Sequence, residues 1–259
     1  INYKLAPILI LAYKRPDMLS ELLSSLPLDR RIFIHIDGAS DATNADVQET
    51  RRVASLYQAN NPTGSVVKIS EIVELAKAAA SISGLLVVDE AYAEFSSETS
   101  AVTLIAQNPN VIVIRTMSKA FAFAGARLGY LIADPAVIDA LQLVRLPYHL
   151  SAITQAVAEV ALSFSDELLA GVDTLIAQRE IVQAGLTKLG LTITPSAANF
   201  LLFGGFSQPA DQIWQKLLDR GILIRDVGLL GQLRVTIGTA AENQAFLSAL
   251  TEVLAEGDK

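Results

Sequence analysis

Two short apolar runs, each handing polar chemistry to its carboxyl end, constrain this chain more than any other feature. Leu85-Leu86-Val87-Val88 leads into Asp89-Glu90-Ala91-Tyr92, and Val111-Ile112-Val113-Ile114 leads into Arg115-Thr116-Met117-Ser118-Lys119, with Arg127 eight residues further on. Runs that are apolar at every position and too short for a helix read as strands buried on both faces, as in parallel sheets. In an open α/β sheet the carboxyl edge of the strands is where ligands bind, and a lysine delivered there can form an imine with an aldehyde.

The rest of the chain repeats this alternation. A strand over Pro7 to Ala12, a helix over Pro16 to Leu26 and a strand over Arg31 to Ile36 form a β-α-β start, closed by a polar loop at Asp37-Gly38. Asn60-Asn61-Pro62-Thr63-Gly64 is a strong turn signal, and apolar residues at helical spacing follow over Ile69 to Ser81. After Pro147 the texture changes to two long helices, Ser151 to Ser163 and Glu167 to Leu189. The remainder reads as strands over Leu191 to Thr194, Asn199 to Phe203, Ile222 to Arg225 and Leu233 to Ile237, with helices over Pro209 to Arg220 and Ala241 to Glu256. The predicted class is α/β: a mainly parallel sheet covered by helices on both faces, followed by a smaller C-terminal α+β domain. The expected division is 1–57, 58–163 and 164–259.

Composition narrows the function. A chain of 259 residues, 51% hydrophobic, can bury a large core. No apolar run approaches the ~18 residues of a membrane span, and the start at Ile1 lacks a basic-then-apolar leader, so a cytoplasmic location is expected. With no cysteine, disulfides and thiolate metal sites are excluded, and with only His35 and His149 a histidine-rich metal site is not expected. The net charge of −7 argues against a general nucleic-acid binder. Residues 1 to 58 are balanced, whereas the rest carries 13 Lys/Arg against 20 Asp/Glu, so an anionic substrate has to meet locally placed arginines.

From about Gln58 onward the chain resembles a fold-type I aminotransferase, and in particular the histidinol-phosphate aminotransferases. The resemblance rests on Asn60-Asn61-Pro62-Thr63-Gly64, Val88-Asp89-Glu90-Ala91-Tyr92, Arg115-Thr116-Met117-Ser118-Lys119-Ala120-Phe121, Ala124-Gly125-Ala126-Arg127-Leu128-Gly129, Ala198-Asn199-Phe200 and Leu233-Arg234-Val235-Thr236-Ile237-Gly238-Thr239, in order and spacing. It implies a fold-type I sheet and pyridoxal phosphate as cofactor. Lys119 would hold the cofactor's aldehyde and carry the substrate proton. Asp89 would pair with the pyridinium nitrogen. Asn61 and Tyr92 would donate to the phenolic oxygen, and Ser118 and Arg127 would bind the phosphate. Arg234, with Asn199 nearby, would grip the carboxylate of glutamate or the phosphate of a phosphorylated imidazole substrate. The implied reaction is amino transfer between histidinol phosphate and 2-oxoglutarate, in a homodimer if the family interface survives, with no nucleic acid, membrane or metal partner.

The residues also admit plainer roles. Asp89 could be a turn former, Lys119 a solvated group, Tyr92 and Phe121 core aromatics, and Arg225 and Arg234 surface ion-pair partners. The family's amino-terminal features are not recognisable in residues 1–57. There, Pro7 to Asp17 followed by Ile32-Phe33-Ile34-His35-Ile36-Asp37-Gly38 is similar to the start of a GT-A glycosyltransferase, in which Asp37 would help hold a nucleoside. The chain therefore reads as chimeric. Two other outcomes are a nucleotide-sugar glycosyltransferase or binder, and a non-catalytic remnant.

Overall fold

The computed structural model describes residues 8–12, 32–36, 63–81, 84–146 and 148–257. The expected helix over Pro16 to Leu26, the Asp37-Gly38 loop and residues Asn60 to Pro62 lie outside the described residues. The strands β1 (Ile8–Ala12) and β2 (Ile32–Ile36) pair in parallel, with Ile8 opposite Ile32 and Ala12 opposite Ile36.

The two apolar runs form the heart of a second sheet. Strand β3 (Leu86–Asp89) runs parallel to β4 (Val111–Thr116), with Asp89 opposite Ile114. Helix α1 (Ile69–Ser81) covers them, its Ile72 and Ala76 packing on Val111 and Val113. The sheet is mixed rather than parallel throughout. A third strand, β5 (Gly129–Ile132), joins β4 antiparallel, with Tyr130 opposite Arg115 and Gly129 opposite Thr116. The cause is the tight return between Lys119 and Arg127. Ala122 N–H donates to the Lys119 carbonyl, Phe123 N–H to the Met117 carbonyl and Met117 N–H to the Leu128 carbonyl, which folds the chain back alongside β4.

Helix α2 (Pro135–Gln142), which the apolar pattern did not announce, starts at a clear signal: Asp134 accepts from Ala136 N–H, and proline opens the first turn. Helix α3 (Ala152–Ser163) is capped by Ser151, which accepts from Thr154 N–H. Phe164 separates it from α4 (Ser165–Lys188). Helix α4 serves two cores. Its Leu169, Val172 and Ile176 pack with Tyr92, Phe95, Ala120 and Phe121, and its Val182 and Leu186 enter the C-terminal core.

That core surrounds a four-stranded sheet in the order β6 (Thr192–Ile193), β7 (Phe200–Gly204), β9 (Gln232–Thr236), β8 (Arg225–Asp226), every adjacent pair antiparallel. Strand β7 is buried at all five positions. Helices α5 (Ala210–Asp219) and α6 (Ala240–Gly257) close it through Ile213, Leu217, Phe246 and Leu250. Strand β8 is shorter than the expected Ile222 to Arg225. Ile224 is drawn into the core and its carbonyl accepts from Trp214 Nε1, so ladder pairing begins only at Arg225.

Candidate active site

Strand ends place the chemistry. Asp89 is the last residue of β3, exposed, and its Oδ1 accepts from Ala91 N–H at 3.0 Å, so the turn-forming role is real. That turn swings Tyr92 inward. Its ring meets Phe95 at 6.4 Å and the edge of Phe200 at 5.4 Å between centroids, so Tyr92 is also a partly buried packing aromatic.

Beyond β4, Thr116 Oγ1 lies 2.9 Å from Ser118 Oγ, accepts from Ser118 N–H at 3.1 Å and sits 3.1 Å from the Leu128 carbonyl. This ties the start of the Ser118-Lys119 turn to the returning chain. Lys119 Nζ lies 5.3 Å from the Tyr92 ring centroid, a cation facing an aromatic ring. Ala122 and Arg127 adopt left-handed backbone, φ 51° and 57°. Such conformations in non-glycine residues are uncommon and cluster where a loop must take one shape. Arg127 is exposed, and its Nη1 donates to the Ala124 carbonyl at 3.1 Å.

The C-terminal sheet contributes the other half. Arg234 in β9 is 8% exposed and its guanidinium carbon stands 4.6 Å over the Phe200 ring, which rules out the surface ion-pair reading for this residue. Arg225 is exposed and directly opposite Arg234 in the ladder, which sets two arginines side by side on adjacent strands. Asn199 is half-buried, and its carbonyl accepts from Ile237 N–H at 2.8 Å. Arg179 in α4 fixes the same segment by donating from Nη1 to the Ala198 carbonyl at 2.7 Å; burial holds its guanidinium below the ordinary value despite nearby Glu180.

The structure thus lines up Lys119, Tyr92, Phe200 and Arg234 as one row of contacts drawn from four separate segments. The glycine that ends the Asn60 to Gly64 motif joins it. Gly64 is buried at φ 76°, its carbonyl accepts from Ala197 N–H at 2.8 Å, and it abuts Ser196 and Phe200. Asn61 itself, and Asp37 of the front segment, lie outside the described residues. Sequence reasoning assigned no role to Phe200, the hub of the row, nor to Glu90 and Arg115. The signal for that pair was present: a charged residue follows each apolar run on the same face of the sheet. Among the described residues, no cluster of His, Cys, Asp and Glu could hold a metal ion.

Comparison with known proteins identifies the family. The family model for aminotransferase class I and II matches residues 34–250. The match starts 24 residues before Gln58, inside the segment that resembled a glycosyltransferase, and that likeness and the chimeric reading are not carried further. The histidinol-phosphate aminotransferase of Mycolicibacterium smegmatis is 54% identical over 213 residues, 82% of this chain and 55% of that protein. The chain therefore spans about half the length of the curated relatives it matches. Among solved structures, the histidinol-phosphate aminotransferase of Clostridium acetobutylicum superposes with a TM-score of 0.76 at 21% identity, covering 97% of this chain and 78% of that one. The enzyme of the same name from Sinorhizobium meliloti, in complex with pyridoxal-5'-phosphate, has a TM-score of 0.73 at 27% identity, with coverage of 97% and 71%. A family match over most of the chain, on a fold that superposes throughout, makes this chain a member of the aminotransferase class I and II family.

Proposed function

We propose that the chain carries the pyridoxal-phosphate site of an aminotransferase that exchanges an amino group between histidinol phosphate and 2-oxoglutarate. The observation that carries the reading is the row Lys119, Tyr92, Phe200, Arg234, which brings an amine and a buried guanidinium to one aromatic wall. The donor set fits the cofactor. An amine, an exposed carboxylate at Asp89 and a hydroxyl and guanidinium at Ser118 and Arg127 stand on two adjacent strand ends and the turn between β4 and β5. When bound, pyridoxal phosphate supplies an electron sink for the bond broken at the substrate's α-carbon.

Each residue then has a task. Asp89 would hold the ring nitrogen of the cofactor, and Tyr92, with Asn61, would donate to its ring oxygen. Ser118 and Arg127 would anchor the phosphate, where a guanidinium offers charge and directed donors together. Lys119 would take up and return the substrate proton at Nζ. Arg234, with Arg225 opposite and Asn199 on the neighbouring segment, would receive the substrate's carboxylate or phosphate.

Other parts of the reading follow. A division of residues 58–163 from 164–259 is supported by separate cores on either side, with α4 packed into both. A homodimer is supported by the number of exposed apolar side chains between residues 143 and 164, among them Leu143, 87% exposed, Leu146, Ile153, Val160 and Phe164. Light scattering that gives a monomer mass at micromolar concentration refutes it. A cytoplasmic location is consistent with the absence, among the described residues, of a helix long and apolar enough to cross a membrane.

The test is an absorbance spectrum after incubation with pyridoxal phosphate and desalting. A retained visible band that shifts on adding glutamate and is missing in Lys119→Ala supports the reading. A wild-type chain that retains no band overturns it.

A further inference from the structure

The most connected polar cluster among the described residues lies outside the row just described. Glu90 and Arg115 stand at the ends of β3 and β4, and their side chains are 11% and 22% exposed. Arg115 donates to Glu90 Oε2 from Nε at 3.1 Å and from Nη2 at 2.8 Å. The same oxygen accepts from Ser100 Oγ at 2.8 Å, and Oε1 accepts from Ala101 N–H at 2.6 Å. Arg115 Nη2 also donates to Ser100 Oγ at 3.0 Å, and Nη1 lies 3.6 Å from Glu94. Burial alone would lower the Arg115 pKa, but the hydrogen bonds and charges of Glu90, with Glu94 and Tyr130, raise it above the ordinary value.

Position makes this cluster more than a stability feature. Successive strand residues point to opposite faces, and Asp89 is in register with Ile114. Glu90 and Arg115 therefore share one face, while Asp89 and Thr116 share the other. The pair bolts the two strand ends together from behind. Asp89 is the residue before Glu90, and the Ser118-Lys119 turn hangs from Thr116, the residue after Arg115. At the strand end, Glu90 N–H donates to the Ile114 carbonyl at 2.9 Å, the last backbone bond holding the two ends in step.

We propose that Glu90 and Arg115 are positioning residues that set the separation between Asp89 and the Ser118-Lys119 turn, and through it the geometry in which pyridoxal phosphate is held. The proposal rests on the cofactor assignment above and adds a pair that does not touch the cofactor. Neither partner works alone: without Arg115 the carboxylate loses its fork, and without Glu90 the guanidinium loses its acceptor. Two guanidinium donors, Nε and Nη2, converging on the single oxygen Oε2 are not reproduced by a lysine.

The experiment uses the full chain with Arg115→Gln, Glu90→Gln, the double variant and Arg115→Lys, the last keeping the charge if the first proves unfolded. Pyridoxal phosphate affinity and the pH midpoint of the bound cofactor's absorbance are measured beside circular dichroism and thermal unfolding. Expected are wild-type secondary structure, an affinity weakened at least about tenfold, a displaced pH midpoint, and a double variant no worse than either single one. Singles with wild-type affinity and midpoint, or a loss that merely tracks the unfolding temperature, overturn the proposal. If the wild-type chain binds no cofactor, the functional reading fails separately. Amide exchange at Glu90, Ala91 and Ser118 then decides: faster exchange in Arg115→Gln supports the positioning role, and unchanged exchange refutes it.

Discussion

Replacing Gly64 by alanine should strike the fold and the candidate site together, and its size can be worked out in parts. Gly64 has φ 76°, where an L-residue loses about 1 to 2 kcal/mol. An added Cβ would also overlap the Ser196 hydroxyl, with Ser196 Cβ at 2.9 Å and Phe200 Cε2 at 3.3 Å. Ser196 cannot easily swing away, because its Oγ donates to the Phe200 carbonyl at 2.7 Å and accepts from Ala198 N–H at 3.2 Å. Overpacking of this kind adds about 1 to 3 kcal/mol. The sum is a loss of about 2 to 5 kcal/mol. Two other glycines separate the parts. Gly190 shares φ 76° with open space around its Cβ position, so Gly190→Ala should lose only the backbone part, about 1 to 2 kcal/mol. Gly171 lies inside α4 with nothing near, so Gly171→Ala should gain about 0.5 to 1 kcal/mol. Urea unfolding of the three variants reads these differences at constant m. If Gly64→Ala proves no more damaging than Gly190→Ala, the close approach of Gly64 to Ser196 and Phe200 is not a constraint, and the docking of these two motifs is misread.

Two further outcomes follow from named contacts. Phe200→Leu removes both the ring edge that Tyr92 meets and the ring beneath Arg234, and should destabilise by about 2 kcal/mol while weakening cofactor retention; an unchanged urea midpoint refutes the hub role. Glu242 accepts from Thr239 N–H and hydroxyl at the start of α6 while Thr239 Oγ1 accepts from Glu242 N–H, and these bonds, the backbone one first, lower its pKa. A depressed carboxyl pKa contributes stability above the unfolded-state value that is lost as pH falls through the folded-state value. Glu242→Gln should therefore unfold at lower temperature than wild type at pH 7, and the gap should close on acidification below the ordinary glutamate range; a gap independent of pH refutes the ionised cap.

Much of the architecture was legible because it rests on local pattern. The strands at 86–89 and 111–116, the helix over 69–81 and the long helices after Ser151 all form within a residue or two of expectation. Where reading failed, the decisive partner lay elsewhere in the chain. Four residues at 129–132 carry no useful periodicity, and they become a strand only because the return loop sets them against β4. Ile222 to Ile224 have strand-like character, yet burial of Ile224 and the claim of Trp214 on its carbonyl shorten the pairing. Helix α2 was a different miss, since Asp134 and Pro135 form a start signal that local reading could have used.

The candidate site divides along the same line. By itself the sequence determined which chemistry is available and that Asp89 and Lys119 ride at the carboxyl ends of two strands, because strand direction and residue order are properties of the chain. Only the tertiary structure decided that Phe200 joins Tyr92 to Arg234, that Gly64 is pressed against Ser196, and that Glu90 and Arg115 form one cluster behind the strand ends. Those relations depend on which faces meet when two sheets and α4 close around shared cores, and burial, register and the direction of a side chain are fixed only by that closure.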